Sequence, residues 1–483
     1  MAKIAELNFN NTYRDLPQDF YDLVSPTPFK NPHLVCFNPD AGALIDLDPK
    51  EAQRSQFIEY FSGNGLIPGS DPLAMYYTGH QFGVYNPDIG DGRAILLGEV
   101  KNNNGEIWDL HLKGSGRTKF SRVFDGRAVL RSCIREYLCS EAMHALAIPT
   151  TRALCIIGSD EKVERETTEM GAMMVRMAPT HVRFGSFEAF HYADQPDNVK
   201  LLADYVIHHH FPKLIKEGDK YPLFFSEVVK RTAELMAHWQ SVGFTHGVMN
   251  TDNMSITGRT IDYGPYGFME NYNPEYIPNH SDNFGRYAYQ NQPAIAFWNL
   301  NKLAIALSSI LPESHSKESL DKFRDIYSES FVDIMRKKLG LKEARTEDVD
   351  LIKGIINVLS EQSVDYTIFF RKLSDLGSQD LFSMFEGESE IQNWMTLYRK
   401  RLQAENSNDT ERKKDMDLIN PKFILRNYLA ENAIRKAVDE ADYSEINRLH
   451  QILRDPFSEQ MQFQDYSEPS PDWGRNLVIS CSS

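Results

Sequence analysis

Two short segments of this 483-residue chain carry oxygen-bearing side chains at a spacing that suits a metal ion beside a phosphate chain. The first contains Asp252 and Asn253, and the second, nine positions after Asn253, is Asp262-Tyr263-Gly264. Mg²⁺ on a triphosphate takes few protein ligands and prefers hard oxygen atoms, such as those of carboxylates and amides. Asn and Asp also stabilise ordinary turns, so neither segment alone would be informative. Both segments in this order predict a metal–nucleotide site.

A glycine turn and a lysine come earlier in the chain and strengthen this prediction. Gly90, Gly92 and Arg93 belong to a turn directly before an apolar stretch, and glycines there let backbone N–H groups come close to a phosphate. Such a turn alone is more typical of a plain hairpin. Lys113 favours the phosphate site, because it ends the second predicted strand after the turn and could reach phosphates bound there.

The elements that position these groups follow from the spacing of apolar residues. The stretches 94–100 and 107–112 predict the two strands of a hairpin, and from about Arg127 apolar side chains recur at helical spacing. A carboxylate on this helix would hold the ammonium group of the lysine. Glu136 and Glu141 are both candidates, and we choose Glu136, although Glu141 lies nearer the apolar side of the helix.

The remaining patterns divide the chain into a sheet-forming part and a helical part. Two more strands are predicted at 153–157 and 171–177, joined by a charged stretch, while the first eighty residues predict irregular structure that wraps the rest. After residue 200 helical patterns dominate, and a strand–turn–strand segment at 254–263 interrupts them. These patterns predict an α+β protein with one long helix inserted in a mainly antiparallel sheet.

Charge and composition argue against several classes of partner. The chain has 52 Lys and Arg against 68 Asp and Glu, a formal net charge of −16, which would repel nucleic acid and lipid headgroups. We therefore expect neither nucleic-acid nor membrane binding. No apolar run approaches about eighteen residues and the N-terminus lacks a targeting pattern, so we expect a protein that is neither exported nor membrane-spanning.

Cysteine and histidine usage favours a reducing, cytoplasmic setting. The five cysteines form an odd set without a Cys-x-x-Cys pair, which argues against a disulfide framework or a structural zinc site. His208, His209 and His210 follow a helical stretch and have no cysteine or carboxylate pair at ligand spacing nearby. A half-exposed helix end is a better interpretation of these histidines than a metal site.

The order of these motifs resembles that of the protein kinases: glycine turn, strand lysine, helix glutamate, catalytic loop and metal-binding Asp-x-Gly. His246 and Asn253 stand at the spacing of the kinase catalytic loop, H-x-D-x-x-x-x-N. Val248 occupies the place of the catalytic aspartate and cannot accept a proton. Phosphoryl transfer to a hydroxyl therefore loses its usual base, and Asp252 is the carboxylate in this loop able to replace it.

Longer segments point to one lineage. They are 77–85 (YTGHQFGVY), 90–98 (GDGRAILLG), 110–117 (LHLKGSGR), 120–135, 245–253 (THGVMNTDN), 261–269 (IDYGPYGFM), 279–282, 292–303 and the Cys-Ser-Ser ending at 481–483. These segments span almost the whole chain and closely resemble the selenoprotein-O family. Members of that family are pseudokinases that transfer AMP from ATP to Ser, Thr and Tyr hydroxyls, with the nucleotide inverted relative to kinases.

The resemblance implies a role for each matching residue. Nucleotide contacts fall on Gly90, Gly92, Arg93, Lys113, Asp125 and Gly126, with Glu136 as partner of the lysine. The family's arginines that hold the outer phosphates match Arg176 and Arg183. Its metal ligands match Asn253 and Asp262, and its proposed proton acceptor matches Asp252. An inverted triphosphate would also explain why two arginines occur at these positions. Its β- and γ-phosphates would lie deep in the site and would need cations that bind them bidentately. The α-phosphate would then face the acceptor hydroxyl.

The resemblance implies a two-lobed, protein-kinase-like α+β fold, with an N-terminal extension over 1–80, a nucleotide-binding lobe over 81–190 and a helical lobe over 191–483. It implies a protein adenylyltransferase that uses ATP with Mg²⁺, or with Mn²⁺, releases pyrophosphate, and modifies other proteins and itself. A kinase, a UMP-transferring variant and an inactive nucleotide-binding scaffold remain alternatives. Val248 opposes the kinase, and the retained Lys113 and metal ligands oppose the scaffold.

A final expectation concerns the C-terminus. In the family the position of Cys481 often holds selenocysteine or cysteine, and some members carry a second cysteine just before the Asn-His-Ser-Asp motif at 279–282, which allows a disulfide to the tail. Pro278 stands there in this chain. We therefore expect no tail-to-loop disulfide within the chain and a weak response of activity to thiol reductants. Another redox role for Cys481 stays open.

Overall fold

The computed structural model describes residues 1–377, 379–475 and 477–479. It is a mixed α+β structure in which the strands of the main sheet come first and long helices follow. The strands are β1 (Tyr21–Leu23), β2 (His33–Phe37), β3 (Leu73–Met75), β4 (Gly79–Gln81), β5 (Val84–Asn86), β6 (Ala94–Lys101), β7 (Ile107–Lys113), β8 (Ala128–Val129), β9 (Arg152–Glu164), β10 (Thr168–Ala178), β11 (Phe244–Thr245) and β12 (Gly267–Phe268).

The main sheet has eight strands in the order β1-β3-β6-β7-β10-β9-β2, with β8 paired to β10, and its neighbours run antiparallel. β4 and β5 form a two-stranded sheet of their own, as do β11 and β12. The predicted hairpin is confirmed as β6 and β7. Its register places Ala94 opposite Lys113, so the glycine turn and the lysine meet at one end of the sheet.

The first eighty residues are more regular than the sequence predicted. They supply β1 and β3 at one edge of the main sheet and β2 at the other, so the prediction of irregular structure was wrong for these segments. The three strands are only three to five residues long. An alternating pattern is not recognisable over so few residues. Elsewhere in this region Ile4, Phe57 and Phe61 pack with Leu97 in one of the hydrophobic clusters.

β9 and β10 extend beyond the strands predicted for them. The charged stretch between those predictions continues the ladder as far as Glu164, which lies opposite Thr168. Charged side chains of this stretch are exposed or half-buried, while Val163 is buried. Hydrogen bonds between the two backbones maintain the strands here. The charged side chains gave no sign of this pairing in the sequence.

Three α-helices lie before residue 180, and helices account for most of the chain after it. The helices are α1 (Pro39–Ala43), α2 (Ser55–Phe61), α3 (Leu130–Ala145), α4 (Phe184–Tyr192), α5 (Pro196–His210), α6 (Lys220–Ser241), α7 (Gln292–Ala306), α8 (Glu313–Asp321), α9 (Phe323–Lys338), α10 (Asp348–Glu361), α11 (Tyr366–Lys372), α12 (Glu388–Ala404), α13 (Asp409–Asp417), α14 (Asn427–Asp439), α15 (Ser444–Leu453) and α16 (Asp472–Arg475). The predicted long helix is α3. It starts later than expected, because β8 pairs with β10 directly before it, and it packs against β9, β10, α14 and α15.

The strand–turn–strand segment predicted at 254–263 does not form. Only one bridge, between Met254 and Thr260, joins its two sides within the described structure. The backbone instead bonds to surrounding segments: Phe184 donates to the Met254 carbonyl over 2.9 Å, and Thr151 donates to the Thr260 carbonyl over 3.0 Å. These external partners satisfy the backbone groups that a local hairpin would have used.

Several smaller expectations can be compared with the structure. No helix in the described part of the chain has the length and apolar character needed to cross a membrane. The three histidines end α5, which confirms the helix-end interpretation. Among the described residues the cysteines are buried and unpaired: Cys36, Cys133, Cys139 and Cys155. Cys481 and the expectation about its disulfide lie outside the described residues.

Candidate active site

A cavity of about 730 Å³ lies where the main sheet faces the loops of the helical part. Its walls come from the glycine turn, the ends of β7 and β10, and the two segments with candidate metal ligands. Of the predicted residues the following line it: Gly90, Gly92, Arg93, Lys113, Asp125, Gly126, Arg176, Arg183, Asp252, Asn253 and Asp262. Glu136 is the exception, because it is buried behind Lys113 and contacts the lysine instead of the cavity.

Lys113 forms an ion pair with Glu136 on α3, so the predicted contact is confirmed. The second oxygen of Glu136 accepts a hydrogen bond from Arg176 over 3.2 Å. The rival candidate, Glu141, is engaged elsewhere, in a buried ion pair with Arg152 at 2.7 Å. Glu136, five residues nearer the helix N-terminus than Glu141, therefore orients the lysine toward the cavity.

Arg176 and Arg183 converge on one carboxylate, that of Asp262. Burial opposes ionisation of Asp262, but the two guanidinium groups and Lys113 outweigh it and hold its pKa well below the usual range. Asp262 also has a left-handed backbone with φ of +59°, which is uncommon for residues other than glycine. The Nε atoms of both arginines are buried without a hydrogen-bond partner among the described residues. Each of the two guanidinium groups thus has one donor that the described residues leave unsatisfied.

Asp252 lies in the short 3₁₀ turn Thr251–Asn253 and is almost fully buried. Burial raises the pKa of this carboxyl to about 7, while the nearby Arg183 opposes the shift. Gln81 Nε2 donates to Asp252 Oδ2 over 3.2 Å, and Oδ1 is buried without a partner among the described residues. A carboxyl with a pKa near neutrality and a free oxygen is suited to accept a proton.

Asn253 and Asp262 offer the oxygen atoms that a divalent cation would need. Asn253 Nδ2 donates to the Val248 carbonyl over 3.0 Å, which leaves the amide oxygen for another partner. The donor set is therefore one carboxylate and one amide beside the unpartnered oxygen of Asp252. These are the hard ligands that Mg²⁺ and Mn²⁺ accept, so the residues fit such an ion.

His246 connects the two candidate metal segments. Its Nε2 donates to the Ile261 carbonyl over 2.9 Å, and its Nδ1 accepts from the Val248 N–H over 3.3 Å. Burial lowers the pKa of His246, so the neutral ring with one donor and one acceptor fits these contacts. The histidine that matched the kinase spacing thus positions loops and does not face the reacting groups.

The glycines of the site have specific packing reasons. A Cβ on Gly90, where φ is +114°, would lie 2.6 Å from the Phe120 ring, and one on Gly92 would lie 2.9 Å from the Phe120 carbonyl oxygen. Gly126 adopts φ of +72°, and a Cβ there would lie 2.1 Å from the Gly116 oxygen. These glycines allow the loop over the cavity to pack tightly.

Sequence reasoning missed a second layer of polar residues behind the cavity. His111 accepts a hydrogen bond from Arg176 at Nδ1 over 2.9 Å and donates from Nε2 to Asp91 over 2.9 Å. Asp91 belongs to the glycine turn, so this histidine connects the turn to the arginine. One signal was available: His111 stands two residues before Lys113 on the same strand, and such residues share a face of the sheet.

The similarity of this chain to known proteins extends over nearly its full length. The family model for protein adenylyltransferase SelO matches residues 3–454. A protein nucleotidyltransferase YdiU from Myxococcus xanthus is 51% identical over 100% of both chains. Proteins of the same name from Thiobacillus denitrificans and Pseudomonas putida are 50% and 48% identical, again over 100% of both chains.

Proposed function

The chain belongs to the SelO family of protein adenylyltransferases and is a protein nucleotidyltransferase, and from this premise we propose that it transfers AMP from ATP to Ser, Thr and Tyr hydroxyls of proteins. One observation supports AMP transfer over phosphoryl transfer most strongly. Arg176 and Arg183 converge, buried, on Asp262 in a cavity where Val248 occupies the position of a kinase base. Bidentate cations at that depth suit the outer phosphates of an inverted nucleotide.

The fold proposed for this activity is the two-lobed, kinase-like type, with boundaries near residues 80 and 190. The ion pair between Lys113 on β7 and Glu136 on α3 supports it, since kinases use such a pair to orient phosphates. The segments with Asp252 and Asp262 belong to the helical part, which is where a kinase carries its catalytic and metal loops. β1 and β3 from the extension would complete the sheet of the first lobe.

Nucleotide binding would exchange the partners of the two arginines. In the structure, Arg176 and Arg183 neutralise Asp262. Phosphate oxygens are strong bidentate acceptors for guanidinium groups, and both arginines line the cavity in which the phosphates would bind. The carboxylate of Asp262 would then be released for the metal ion. A bound Mg²⁺ or Mn²⁺ ion would supply positive charge that stabilises the leaving pyrophosphate.

The proposed chemical step is the attack of a protein hydroxyl on the α-phosphorus of ATP. The hydroxyl oxygen forms a bond to phosphorus, the bond from phosphorus to the pyrophosphate oxygen breaks, and the hydroxyl proton passes to Asp252. Lys113 neutralises negative charge that develops on the phosphates during this step. Asp252 is suited to its role because its second oxygen is held by Gln81 while the first has no partner among the described residues.

Intact-mass analysis tests this function directly. The purified chain is incubated with ATP and Mg²⁺, and in parallel with ATP and Mn²⁺, and its mass is followed over time. Self-modification should add adenylyl groups, whereas added phosphoryl groups would contradict the proposal and return the chain to kinase chemistry. UTP in place of ATP tests the uridylyl alternative. The variant Asp262→Asn should remain unmodified under all of these conditions and serves as the control.

A further inference from the structure

The hairpin formed by β4 and β5 carries an exposed apolar tip next to the cavity. Phe82 and Val84 are 44% and 72% exposed, and the hairpin forms a two-stranded sheet of its own. Short isolated hairpins are only marginally stable in water, so external contacts must hold this one in place. Contacts with the rest of the protein explain the position of the hairpin, but they do not explain why Phe82 and Val84 are exposed.

The hairpin is attached to the segment that contains Asp252. The His80 N–H donates to Thr251 Oγ1 over 2.6 Å, and the Phe82 N–H donates to Asn250 Oδ1 over 3.2 Å. The backbones are so close at Gly79 that a Cβ there would lie 3.0 Å from Asp252 Cβ. The first strand of the hairpin is thus built directly onto the residues around the proposed base.

Gln81 extends this attachment to the carboxyl group itself. Its Oε1 accepts a hydrogen bond from Asn86 Nδ2 over 3.1 Å, and its Nε2 donates to Asp252 Oδ2 over 3.2 Å. The bond from the second strand fixes which way the amide points, so the donor faces Asp252. Any shift of the hairpin would move a hydrogen bond on the base.

The tip packs against neighbouring side chains although its own apolar side chains remain partly exposed to solvent. The Phe82 ring packs on Tyr287 with centroids 5.1 Å apart. Arg286 lies over the Trp298 ring at 4.7 Å, and a Cβ on Gly83 would lie 3.3 Å from the Arg286 guanidinium carbon. Apolar groups that are exposed together beside a cavity are a feature of surfaces that bind another molecule.

From these contacts we infer that the hairpin is the docking element for the acceptor protein, and that Phe82 and Val84 bind a large apolar side chain next to the hydroxyl to be modified. The inference rests on the proposed function. A polypeptide that brings its hydroxyl to Asp252 must come close to the residues that contact this carboxyl, and Phe82 itself lines the cavity. The occupant is therefore a segment of the acceptor protein, with an apolar residue beside its serine, threonine or tyrosine.

A degenerate peptide library with one fixed tyrosine tests this inference. Peptides are labelled from ATP carrying ³²P at the α-position, and the flanking residues of labelled peptides are identified. The chain should enrich large apolar residues at one flanking position. Val84→Asp should abolish that enrichment and raise the KM for a preferred peptide about tenfold, the effect of losing roughly 1.4 kcal/mol of binding. Its Kd for ATP should be unchanged.

Leu397→Asp is the matched control, since Leu397 is 60% exposed on α12 and does not line the cavity. It should keep the peptide preference and the KM of the unaltered chain. Labelled peptides without an apolar preference, or a preference that survives Val84→Asp, would overturn the docking role alone. Self-labelling without peptide labelling would also overturn docking of a short acceptor segment. Absence of α-label from both the peptides and the chain would overturn the proposed function as well.

Discussion

Two regions of the molecule contain the same arrangement, an aspartate held by two buried or half-buried arginines. Asp262 lies in the cavity, and Asp348 lies at the start of α10 among the C-terminal helices. The arginine pairs are Arg176 and Arg183 for the first, and Arg336 and Arg401 for the second. The two clusters form the same kind of ion pairs. They differ in position, because only the first cluster lines the cavity.

The difference lies in how completely the arginines are satisfied. Arg401 uses all three nitrogens: Nε donates to Asp348 over 2.7 Å, one terminal nitrogen to Glu405 over 2.8 Å, and the other to the Glu343 carbonyl over 2.6 Å. In the cavity, Arg176 and Arg183 each keep an Nε without a partner among the described residues. Arg401 is therefore saturated by neighbours within the fold, whereas Arg176 and Arg183 form an unsaturated cluster that lines the cavity, each with one donor that no described residue accepts.

The largest expected effect is on activity at Asp262. Asp262→Asn should reduce adenylyl transfer on the order of 10⁴-fold or more, because residues that act as a unit lose nearly all function when one is removed. Lys113→Ala should have a similar effect, and the double variant should be little worse than either single one. Asp348→Asn is the comparison, and its folded fraction should retain the kcat of the unaltered chain. A comparable loss of kcat in Asp348→Asn would erase the distinction between the two clusters.

The next effect concerns Asp252, which lies beside the unsaturated cluster. Asp252→Asn should lower kcat about 10²–10⁴-fold, the usual range for a general base. The amide keeps an oxygen that can accept the bond from Gln81, so the Kd for ATP should change little. Calorimetric titration with ATP and steady-state kinetics measure the two quantities. Equal losses of nucleotide binding and turnover would indicate that Asp252 only supports the loop.

The two aspartate variants should rank in the opposite order when the loss of stability is measured instead of the loss of activity. Asp348→Asn leaves two arginines short of a buried partner and should lower the free energy of unfolding by about 3–5 kcal/mol. Asp262→Asn should lower it by less, because the released guanidinium groups face a cavity where water can solvate them. Urea denaturation of both variants checks this order. A larger loss at Asp262 would mean that its cluster is primarily structural.

Lys338 is a buried cation that does not line the candidate active-site cavity. Its ammonium lies 4.5 Å from the centre of the Phe370 ring, it forms no ion pair with a carboxylate in the described structure, and burial lowers its pKa to about 7. The unfolded chain holds this proton up to about pH 10.4, so the penalty for burying it is largest below pH 7 and disappears as pH rises toward 10.

Lys338→Met should therefore raise the free energy of unfolding at pH 7 by about 1–4 kcal/mol, and by less at pH 10. The measurement is urea denaturation of both proteins at the two pH values, with kcat as the functional control. An unchanged kcat would agree with a residue that has no ligand to bind. A stability gain that stays constant with pH would show that the proton on Lys338 is not responsible.

The sequence predicted local elements and chemical residue types well, and long-range pairings poorly. The strands around Lys113, the helix that follows and the residues of the cavity could be predicted, because periodicity and motif spacing are local properties. The pairing of Asp262 with Arg176 could not, since 86 positions separate the two residues and only the folded chain brings them together.

Two other features escaped prediction for related reasons. The short edge strands of the first eighty residues are stabilised by their neighbours in the sheet and have little pattern of their own. The hydrogen bond from Gln81 to Asp252 depends on how a hairpin meets a loop 171 positions later. Both features are contributed by the tertiary structure, and no spacing rule encodes them.

The direct test of AMP transfer is to follow each phosphate of ATP separately. The chain is incubated with Mg²⁺ and ATP labelled with ³²P at either the α- or the γ-position, and label in protein is counted after removal of free nucleotide. The unsaturated arginines and Val248 at the kinase base position predict α-label in protein and γ-label only in released pyrophosphate. Incorporation of γ-label without α-label would contradict the proposed reaction and assign the cavity to phosphoryl transfer.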